Sequence, residues 1–535
     1  MPRLGLGSSL TGGVAVSGPS FISTWDSSDG DVDKRITLPL TDHASFETIV
    51  VDWGDGGSDT ITAYDSADRI HNYAASQEYT ITISGNLYGF KFANGGDKTK
   101  LQTITNWGSF NISTNSVFYG CSALTVSAAD VPTISTTDFQ ELFRGCSVFN
   151  TDISSWDVSN VTTFYGLFQN CTAFNNGGSD SIKDWDVSKA TDMRLMFSHC
   201  DVFNQPLTNW DTGEVTLMDS MFVDCPVFNN TITNWDTVKV TSMASMFQEC
   251  DVFNQDITNW NTAAVTDMNK MFQVARDFNQ AINTDGNEWN TAAVTNMASM
   301  FSYADVFNQD ISDWNTAAVT DMGNMFSWAL AFDQDINTSG DKWNVSNVDD
   351  MQRMFWKASS FGASNGNITD WNVSSVVNFY EMFRMCPNFN QDIGSWVTAS
   401  ATSMRAMFNE ATTFNQDIGD WDTADVITFR QMFRLARDFD QDISGWDISS
   451  LDILQGPLYG FLGPGGANTP VLSTANYNLL LHHWHAQDPL DDLAFHGGDA
   501  TTDSSSGGVD GTAARAALVL ATGSGGDGWT ITDGD

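Results

Sequence analysis

The chain has 535 residues, of which 66 are acidic and 23 basic, and its formal net charge is −43. So negative a protein repels phosphate backbones and anionic membranes, which argues against nucleic acid as a partner. No segment approaches the roughly 18 apolar residues of a membrane span, so no membrane insertion is expected. The 36 Phe, 19 Trp and 20 Met provide ample apolar material to bury, which argues against a disordered chain.

The amino-terminal region divides into two parts. Residues 1–20 are rich in Gly and Ser and are expected to form a leader; they lack the apolar run of an export signal. Residues 21–96 contain short stretches of period two, separated by turn-forming Gly, Asp, Asn and Ser. These stretches are Arg35–Leu40, Phe46–Trp53 and Tyr79–Ser84. Short, regularly spaced strands of this kind predict a small β-sandwich.

The same region carries a motif, Val51-Asp-Trp-Gly-Asp-Gly56, followed by His71-Asn-Tyr73. The motif resembles the PKD-type (polycystic-kidney-disease) domain, and this resemblance implies a β-sandwich. Its Asp52 and Asp55 have two interpretations, as cation ligands or as turn formers. The Gly-Asp-Gly sequence favours the turn.

A unit of about 25 residues then recurs twelve times within residues 141–450. Such a fixed period is typical of a solenoid, in which stacked units bury one another's apolar faces. Residues 97–140 are an atypical copy, expected to cap the array, and residues 451–535 are expected to form a carboxy-terminal cap or small domain with helices near 474–485 and 511–521. The tryptophans of the twelve copies are Trp156, Trp185, Trp210, Trp235, Trp260, Trp289, Trp314, Trp343, Trp371, Trp396, Trp421 and Trp446.

Each unit contains two patterns. Apolar residues at i, i+3, i+4 and i+7 predict a short helix that Thr266 caps in one unit. The β-branched and aromatic residues that follow, from Phe278 to Ile282 in that unit, predict a strand. We therefore expect an α/β repeat solenoid with one short strand and one short helix per unit, preceded by the β-sandwich. The helix positions of that unit are Met268, Met271, Phe272 and Ala275.

The unit Met-Phe-x-x-Cys/Ala-x-x-Phe-Asn-Gln-Asp-Ile-x-x-Trp resembles the BspA-type surface-protein repeat. This resemblance implies a leucine-rich-repeat-like solenoid used for surface adhesion, with no shared enzymatic activity. The leader Met1–Gly13 looks like the leaders of some bacteriophage virion proteins, which reach the outside by lysis and need no export signal. We therefore expect a virion surface or tail-associated structural protein that mediates adhesion, receptor binding or particle decoration.

Two other functions are considered. A cellular surface adhesin, located at the cell surface, is the first alternative, and a glycan-cleaving enzyme on a solenoid is the second. The chain lacks a Gly-x-Ser-x-Gly motif, a phosphate-binding glycine loop and a metalloprotease helix, so no enzymatic activity is expected. The expected partners are other virion proteins or a host-surface glycan or protein, and self-association is left open.

Candidate binding residues lie in two places. Tyr303 and Trp328 follow the Met-Phe pair by two residues in consecutive units, and Trp356 lies one place off in the third. They would form an aromatic strip able to stack on sugar rings or to meet a protein. The second set comes from loop insertions between the Phe and the Trp of a unit, which should bulge outward. It consists of Asp285, Asn287 and Asp341.

Repeated polar and sulfur-containing residues are also candidates. Asp392, Asp417 and Asp442 recur before Ile in consecutive units, where they would either bind calcium or be held by hydrogen bonds. No other cofactor is expected. The Asn at the Phe-Asn position, as in Asn254 and Asn415, predicts an amide ladder. All seven Cys occupy one repeat position that is Ala in other units, which predicts a small buried slot rather than a disulfide or a zinc site.

Overall fold

A computed structural model describes residues 18–28, 34–283, 289–463, 472–487, 492–519 and 527–534. Most of the expected leader and the candidates Asp285 and Asn287 lie outside these ranges. The chain divides into two compact units, Met1–Lys189 and Ala190–Asp535. None of the helices in the described ranges is long and apolar enough to cross a bilayer.

The first unit begins with a six-stranded sheet, antiparallel except where β7 pairs with β9, in the order β4-β3-β6-β1-β7-β9. The other strands of this unit form two separate pairs, β2 with β5 and β8 with β10. Alternate residues of β1 and β6 are buried, as a period of two requires. The strands are β1 Phe21–Asp26, β2 Arg35–Thr37, β3 Ile49–Asp52, β4 Ser58–Ile61, β5 Ile70–Asn72, β6 Glu78–Ser84, β7 Leu101–Asn106, β8 Asn111–Ile112, β9 Thr125–Val126 and β10 Thr133–Ile134.

The Gly-Asp-Gly motif forms a turn, as its sequence favours. Asp52 Oδ1 accepts a hydrogen bond from the Gly54 amide at 3.0 Å, and Asp55 Oδ1 accepts one from the Gly57 amide at 2.9 Å. The other oxygen of Asp55 lies 2.8 Å from His71 Nε2. Hydrogen bonds from His71 and then from Gly57 lower the pKa of the Asp55 carboxyl. Both carboxylates are therefore engaged in closing the turn.

The helix predicted in each repeat is wrong. The described part of residues 141–450 contains no α-helix, only two short 3₁₀ segments. In one unit, the amides of Met271, Gln273 and Ala275 each donate to the carbonyl three residues earlier, at 3.0–3.1 Å. Lys270 and Val274 have φ angles of 56° and 61°, the left-handed conformation that a type II turn requires at its third residue. The segment is thus a chain of consecutive reverse turns, which we call the turn segment.

Bonds between units explain why the turn segment is not helical. Alternate amides donate to carbonyls of the following unit at 2.7–3.2 Å, so they are not available to the residue four positions back as in an α-helix. The predicted strand is also absent, because neighbouring units form only single-residue bridges. Most of these bridges are parallel and lie just before the first Met or Phe of the turn segment. The predicted α/β solenoid is therefore replaced by stacked turns. In the second unit the residues bridged at this repeat position are Asp192, Leu217, Ser242, Asp267, Asn296, Asp321, Asp350, Asn378, Ser403 and Thr428.

The apolar positions of the repeat are nevertheless buried as the periodicity implies. Every Trp of the twelve copies is at most 6% exposed. The Phe272 ring stacks on Phe278 of its own unit at 3.9 Å and on Phe301 of the next at 5.7 Å. Trp260 stacks on Trp235 at 6.1 Å. Within each compact unit, the Phe residues at these two positions of successive copies therefore form continuous columns. The Trp rings of the second unit stack in three runs, within residues 210–260, 289–371 and 396–446.

The predicted amide ladder is confirmed. Asn254 Oδ1 accepts the amide of Asn279 at 3.0 Å, and Asn279 Oδ1 accepts that of Asn308 at 2.9 Å. Further along, Asn390 accepts the amide of Asn415 at 2.9 Å. The ladder satisfies backbone donors that no strand pairing reaches.

The end of the second unit contains the two helices expected from the sequence. Helix α1 spans Thr474–Ala486 and helix α2 spans Gly511–Val519. Strand β11, Ala494–His496, pairs in parallel with β12, Thr530–Thr532. Asp440, at the ladder position of the last copy, accepts hydrogen bonds from the Ser473 amide at 2.7 Å and from Asn476 Nδ2 at 2.9 Å. These bonds join the first turn of α1 to the repeats.

The cysteines occupy buried slots, as predicted. All seven are free and buried. The thiol of Cys250 donates to the Phe222 carbonyl at 2.9 Å, and that of Cys386 donates to the Phe355 carbonyl at 2.8 Å. Burial raises the pKa of the Cys250 thiol, so the reactive thiolate is disfavoured.

We expect the native protein to resist thiol reagents. In 5,5′-dithiobis(2-nitrobenzoate) at about pH 8, the folded chain should show less than one reacting thiol, because reaction requires an accessible thiolate. The same sample in guanidinium chloride should show all seven. Fast reaction of several thiols in the folded chain would contradict the buried slots.

Candidate binding site

The three aromatic residues singled out from the sequence lie together. Tyr303 stacks on Trp328 with ring centroids 5.1 Å apart, and Trp328 meets Trp356 edge-on at 5.9 Å. Tyr303 and Trp328 both have φ angles of 60°. This left-handed backbone directs their side chains away from the core, while the preceding Ser302 and Ser327 are buried.

Cationic side chains lie on these rings. Lys357 Nζ is 3.4 Å from the centroid of the Trp328 ring. Arg353 and Arg384 both approach Trp356, with guanidinium carbons 5.0 Å and 5.7 Å from its centroid. Such cation–π contacts contribute about 0.5–2 kcal/mol each, according to how far the charge is desolvated.

The arrangement continues into the next units. The Arg353 guanidinium also lies 4.9 Å from the Tyr380 ring, and Arg405 lies 5.4 Å from it. Tyr380 Oη accepts a hydrogen bond from Arg353 Nη2 at 3.2 Å. The rings therefore hold the cations in place. We call this group the aromatic–cationic cluster: Tyr303, Trp328, Arg353, Trp356, Lys357, Tyr380, Glu381, Arg384 and Arg405.

A buried carboxylate fixes two of the arginines. The side chain of Glu381 is only 6% exposed and accepts hydrogen bonds from Arg353 Nε and Arg384 Nη1, both at 2.6 Å. Burial disfavours the charged form of Arg353, but the hydrogen bond and charge of Glu381 outweigh it and raise the pKa of the guanidinium. Glu381 therefore orients the guanidinium groups and neutralises part of their charge.

Two cations of the cluster are not neutralised. Among the described residues, no carboxylate lies within ion-pair distance of Lys357 Nζ or of the Arg405 guanidinium. The surrounding segment is unusual for this chain: residues 351–437 contain seven basic and eight acidic residues, against 16 and 58 in the remainder. The seven are Arg353, Lys357, Arg384, Arg405, Arg430, Arg434 and Arg437.

The other candidate residues are not part of this cluster. Asp341 is exposed in the tight turn between Ser339 and Lys342, whose backbones bond reciprocally at 3.0 Å and 3.2 Å. Its carbonyl accepts the Thr316 amide at 3.3 Å. Asp341 therefore belongs to a small hairpin on the insert loop.

The repeated aspartates are not brought together as a metal site. Each is exposed, and Oδ1 of each accepts the amide two residues later, at 3.0–3.1 Å. Within the described ranges, no group of three or more His, Cys, Asp or Glu side chains is placed to hold a metal ion. The local role of these carboxylates is to close a turn. The residues are Asp392, Asp417 and Asp442.

Asp333 is a structural residue that sequence reasoning missed. It is 7% exposed, and its two oxygens accept four backbone amides from the insert loop 362–366. The sequence does contain a signal: Asp333 stands where most copies have the ladder Asn, and the next Phe-to-Trp segment carries an insertion. A carboxylate offers a second acceptor oxygen that the amide lacks. The four donors are Gly362, Ser364, Asn365 and Gly366, at 2.9–3.2 Å.

Comparison with known families identifies the repeats. The family model described as "Mycoplasma protein of unknown function, DUF285" matches four overlapping segments that together cover more than half of the chain. No curated protein and no solved structure matches the chain. The matched residues are 89–205, 177–285, 281–367 and 362–460. The chain therefore belongs to the DUF285 family, whose matches extend from the segment between β6 and β7 through the last copy of the repeat.

Proposed function

We propose that this chain is a non-enzymatic binding protein whose repeats present the aromatic–cationic cluster to a partner at a surface. The observation that carries the proposal is the placement of the half-buried Lys357 and the exposed Arg405 on aromatic rings, without carboxylate partners in the described part. Cations held on aromatic side chains are typical of recognition sites. Stacked repeats supply the rigid support that such a site needs.

The setting that we propose is the surface or tail of a virion, where the chain would mediate adhesion, receptor binding or particle decoration. Support for it comes from the resemblance of the leader to virion proteins and of the repeats to BspA-type surface repeats. A cellular surface adhesin is the alternative setting for the same binding activity. We also propose that residues 21–96 are a PKD-like module. The stacking of His71 on Trp53, at 4.9 Å, supports this by uniting the two halves of the motif.

Binding to intact particles and intact cells tests the proposal. Fluorescently labelled full-length protein should bind one of the two, and the double variant Trp328→Asn/Lys357→Asn should bind roughly tenfold more weakly, because it removes a charge and the ring that holds it. Asn suits both positions, since it tolerates the left-handed backbone and Asn170 already occupies the equivalent place in another copy.

The matched control is Lys270→Asn. Lys270 also lies in a turn segment with positive φ, but outside the cluster, so its replacement should leave binding within about twofold. Binding to the particle would favour the virion setting, whereas binding to the cell alone would favour the cellular adhesin. Failure to bind either, or equal binding by the double variant with an unchanged thermal unfolding curve, would overturn the proposal.

A further inference from the structure

The outward chemistry of the aromatic–cationic cluster is cationic rather than aromatic. Trp328 is contacted by Tyr303 and by Lys357, and Trp356 lies against Trp328 and two arginines. The indole Nε1 atoms of Trp328 and Trp356 are buried and make no hydrogen bond. The rings thus serve as supports, and the groups left to meet a ligand are the ammonium and guanidinium groups.

The cations also follow the direction of the repeats. Lys357 belongs to one copy, Arg384 to the next and Arg405 to the one after, although they occupy different positions of the repeat. Carbonyls of each copy accept amides of the previous one, for example Arg384 O from the Lys357 amide at 2.8 Å, which holds the copies against one another. Fixed cations that are spread over three successive copies match an extended ligand with several negative charges.

We infer that this cluster recognises a linear polysaccharide that bears carboxylate groups. The inference rests on the proposed function, because it names the ligand class of the same site. Lysine and arginine donate charge-assisted hydrogen bonds to carboxylates, and the planar fork of Arg405 can bind one in a bidentate manner. At physiological ionic strength, charges separated by more than about 8 Å are largely screened, so a bound anion responds mainly to these local cations rather than to the net charge of −43.

Other anionic polymers fit this surface less well. Single-stranded nucleic acid relies on stacking its bases on free aromatic faces, and here cations and neighbouring rings occupy those faces. An acidic peptide that adds as a strand needs a free sheet edge, and one that binds as a helix needs an apolar groove. The turn segment offers neither, because its alternate amides already bond to the following copy and its outward side is charged.

Binding of polygalacturonate, a linear polymer of a carboxylated sugar, tests this inference. Full-length protein at about 150 mM NaCl should bind polygalacturonate and not the neutral polymer dextran, and binding should weaken roughly tenfold or more as salt rises to about 500 mM. Poly-L-glutamate and an oligothymidylate should bind at least about tenfold more weakly than polygalacturonate. Equal binding of dextran, poly-L-glutamate or the oligonucleotide would overturn the assignment to an acidic glycan.

Charge removal locates the site. The variant Lys357→Asn/Arg405→Gln should weaken polygalacturonate binding by roughly tenfold or more, and Lys270→Asn by less than about twofold. Neither Lys357 nor Arg405 has an ion-pair partner in the described part, so the double variant leaves no buried charge unpaired and should fold normally. If the double variant and Lys270→Asn lose polygalacturonate binding equally, the binding site is not the aromatic–cationic cluster.

Failure of this inference is distinguishable from failure of the proposed function. If polygalacturonate does not bind, while binding to particles or cells still depends on Trp328 and Lys357, the ligand class is wrong and the proposed function stands. If the Trp328→Asn/Lys357→Asn variant binds particles and cells as well as the native chain does, the proposed function is wrong.

Discussion

Replacing Trp260 with alanine should lower the free energy of unfolding by about 3–5 kcal/mol. The indole is 0% exposed and stacks on Trp235. Its Nε1 donates to the Ile232 carbonyl at 3.2 Å. Alanine would leave a cavity beside Trp235 and would remove one of the two donors to the Ile232 carbonyl, and both effects act in the same direction. Urea denaturation followed by circular dichroism measures the loss.

The control for this variant is Trp328→Asn. That indole is partly exposed and its main contacts are two rings and one cation, so its removal should cost about 1 kcal/mol. The same residue type is thus compared inside and outside the stack. If Trp260→Ala shifts the urea midpoint no more than Trp328→Asn does, the Trp column does not stabilise the repeats.

Replacing Asp333 with alanine should lower the free energy of unfolding by about 3 kcal/mol. Four backbone amides, from Gly362 to Gly366, would lose their acceptor. Each hydrogen bond to a charged group contributes about 1.5–3 kcal/mol, but water can replace some of them because part of the loop is exposed. Urea denaturation again measures the total loss.

Hydrogen exchange locates the effect of the Asp333 variant. Amide exchange in residues 362–366 should accelerate strongly, while exchange in the neighbouring turn segments changes little. Asp335→Ala is the matched control. Asp335 is exposed and closes only one turn, at the Asn337 amide, so its loss should cost less than about 1 kcal/mol. Unchanged exchange at 362–366 in Asp333→Ala would show that this carboxylate does not hold the loop.

Much of the core could be predicted from the sequence. The period of the Trp residues identified the columns, and the exchange of Cys with Ala identified the buried slots, because both depend only on which positions face inward. The backbone conformation could not be obtained in this way. Positions i, i+3, i+4 and i+7 are buried both in a helix and in this series of turns.

The sequence nevertheless contained evidence against a helix. Gly120, Gly145 and Gly166 stand at turn-segment positions where other copies have residues of positive φ, and Asn170 stands at one of them as well. Recurrent Gly and Asn at fixed positions of a unit indicate a left-handed backbone. The contact between Trp328 and Lys357 could not be predicted from the sequence. These residues are 29 positions apart, and only the stacking of copies brings them together.

The hydrogen bonds between copies give the array a direction. Turn-segment amides point to the following copy, so the last copy ends in donors, and the carbonyls of Pro457, Tyr459 and Phe461 accept those of Phe429, Gln431 and Phe433 at 2.9–3.1 Å. This closing strip has no repeat sequence of its own. Since the junctions between copies within the second unit use corresponding turn-segment donors and acceptors, complete copies there are interchangeable modules upstream of that strip. A deletion of half a copy, by contrast, would leave turn-segment amides without the carbonyls to which they donate.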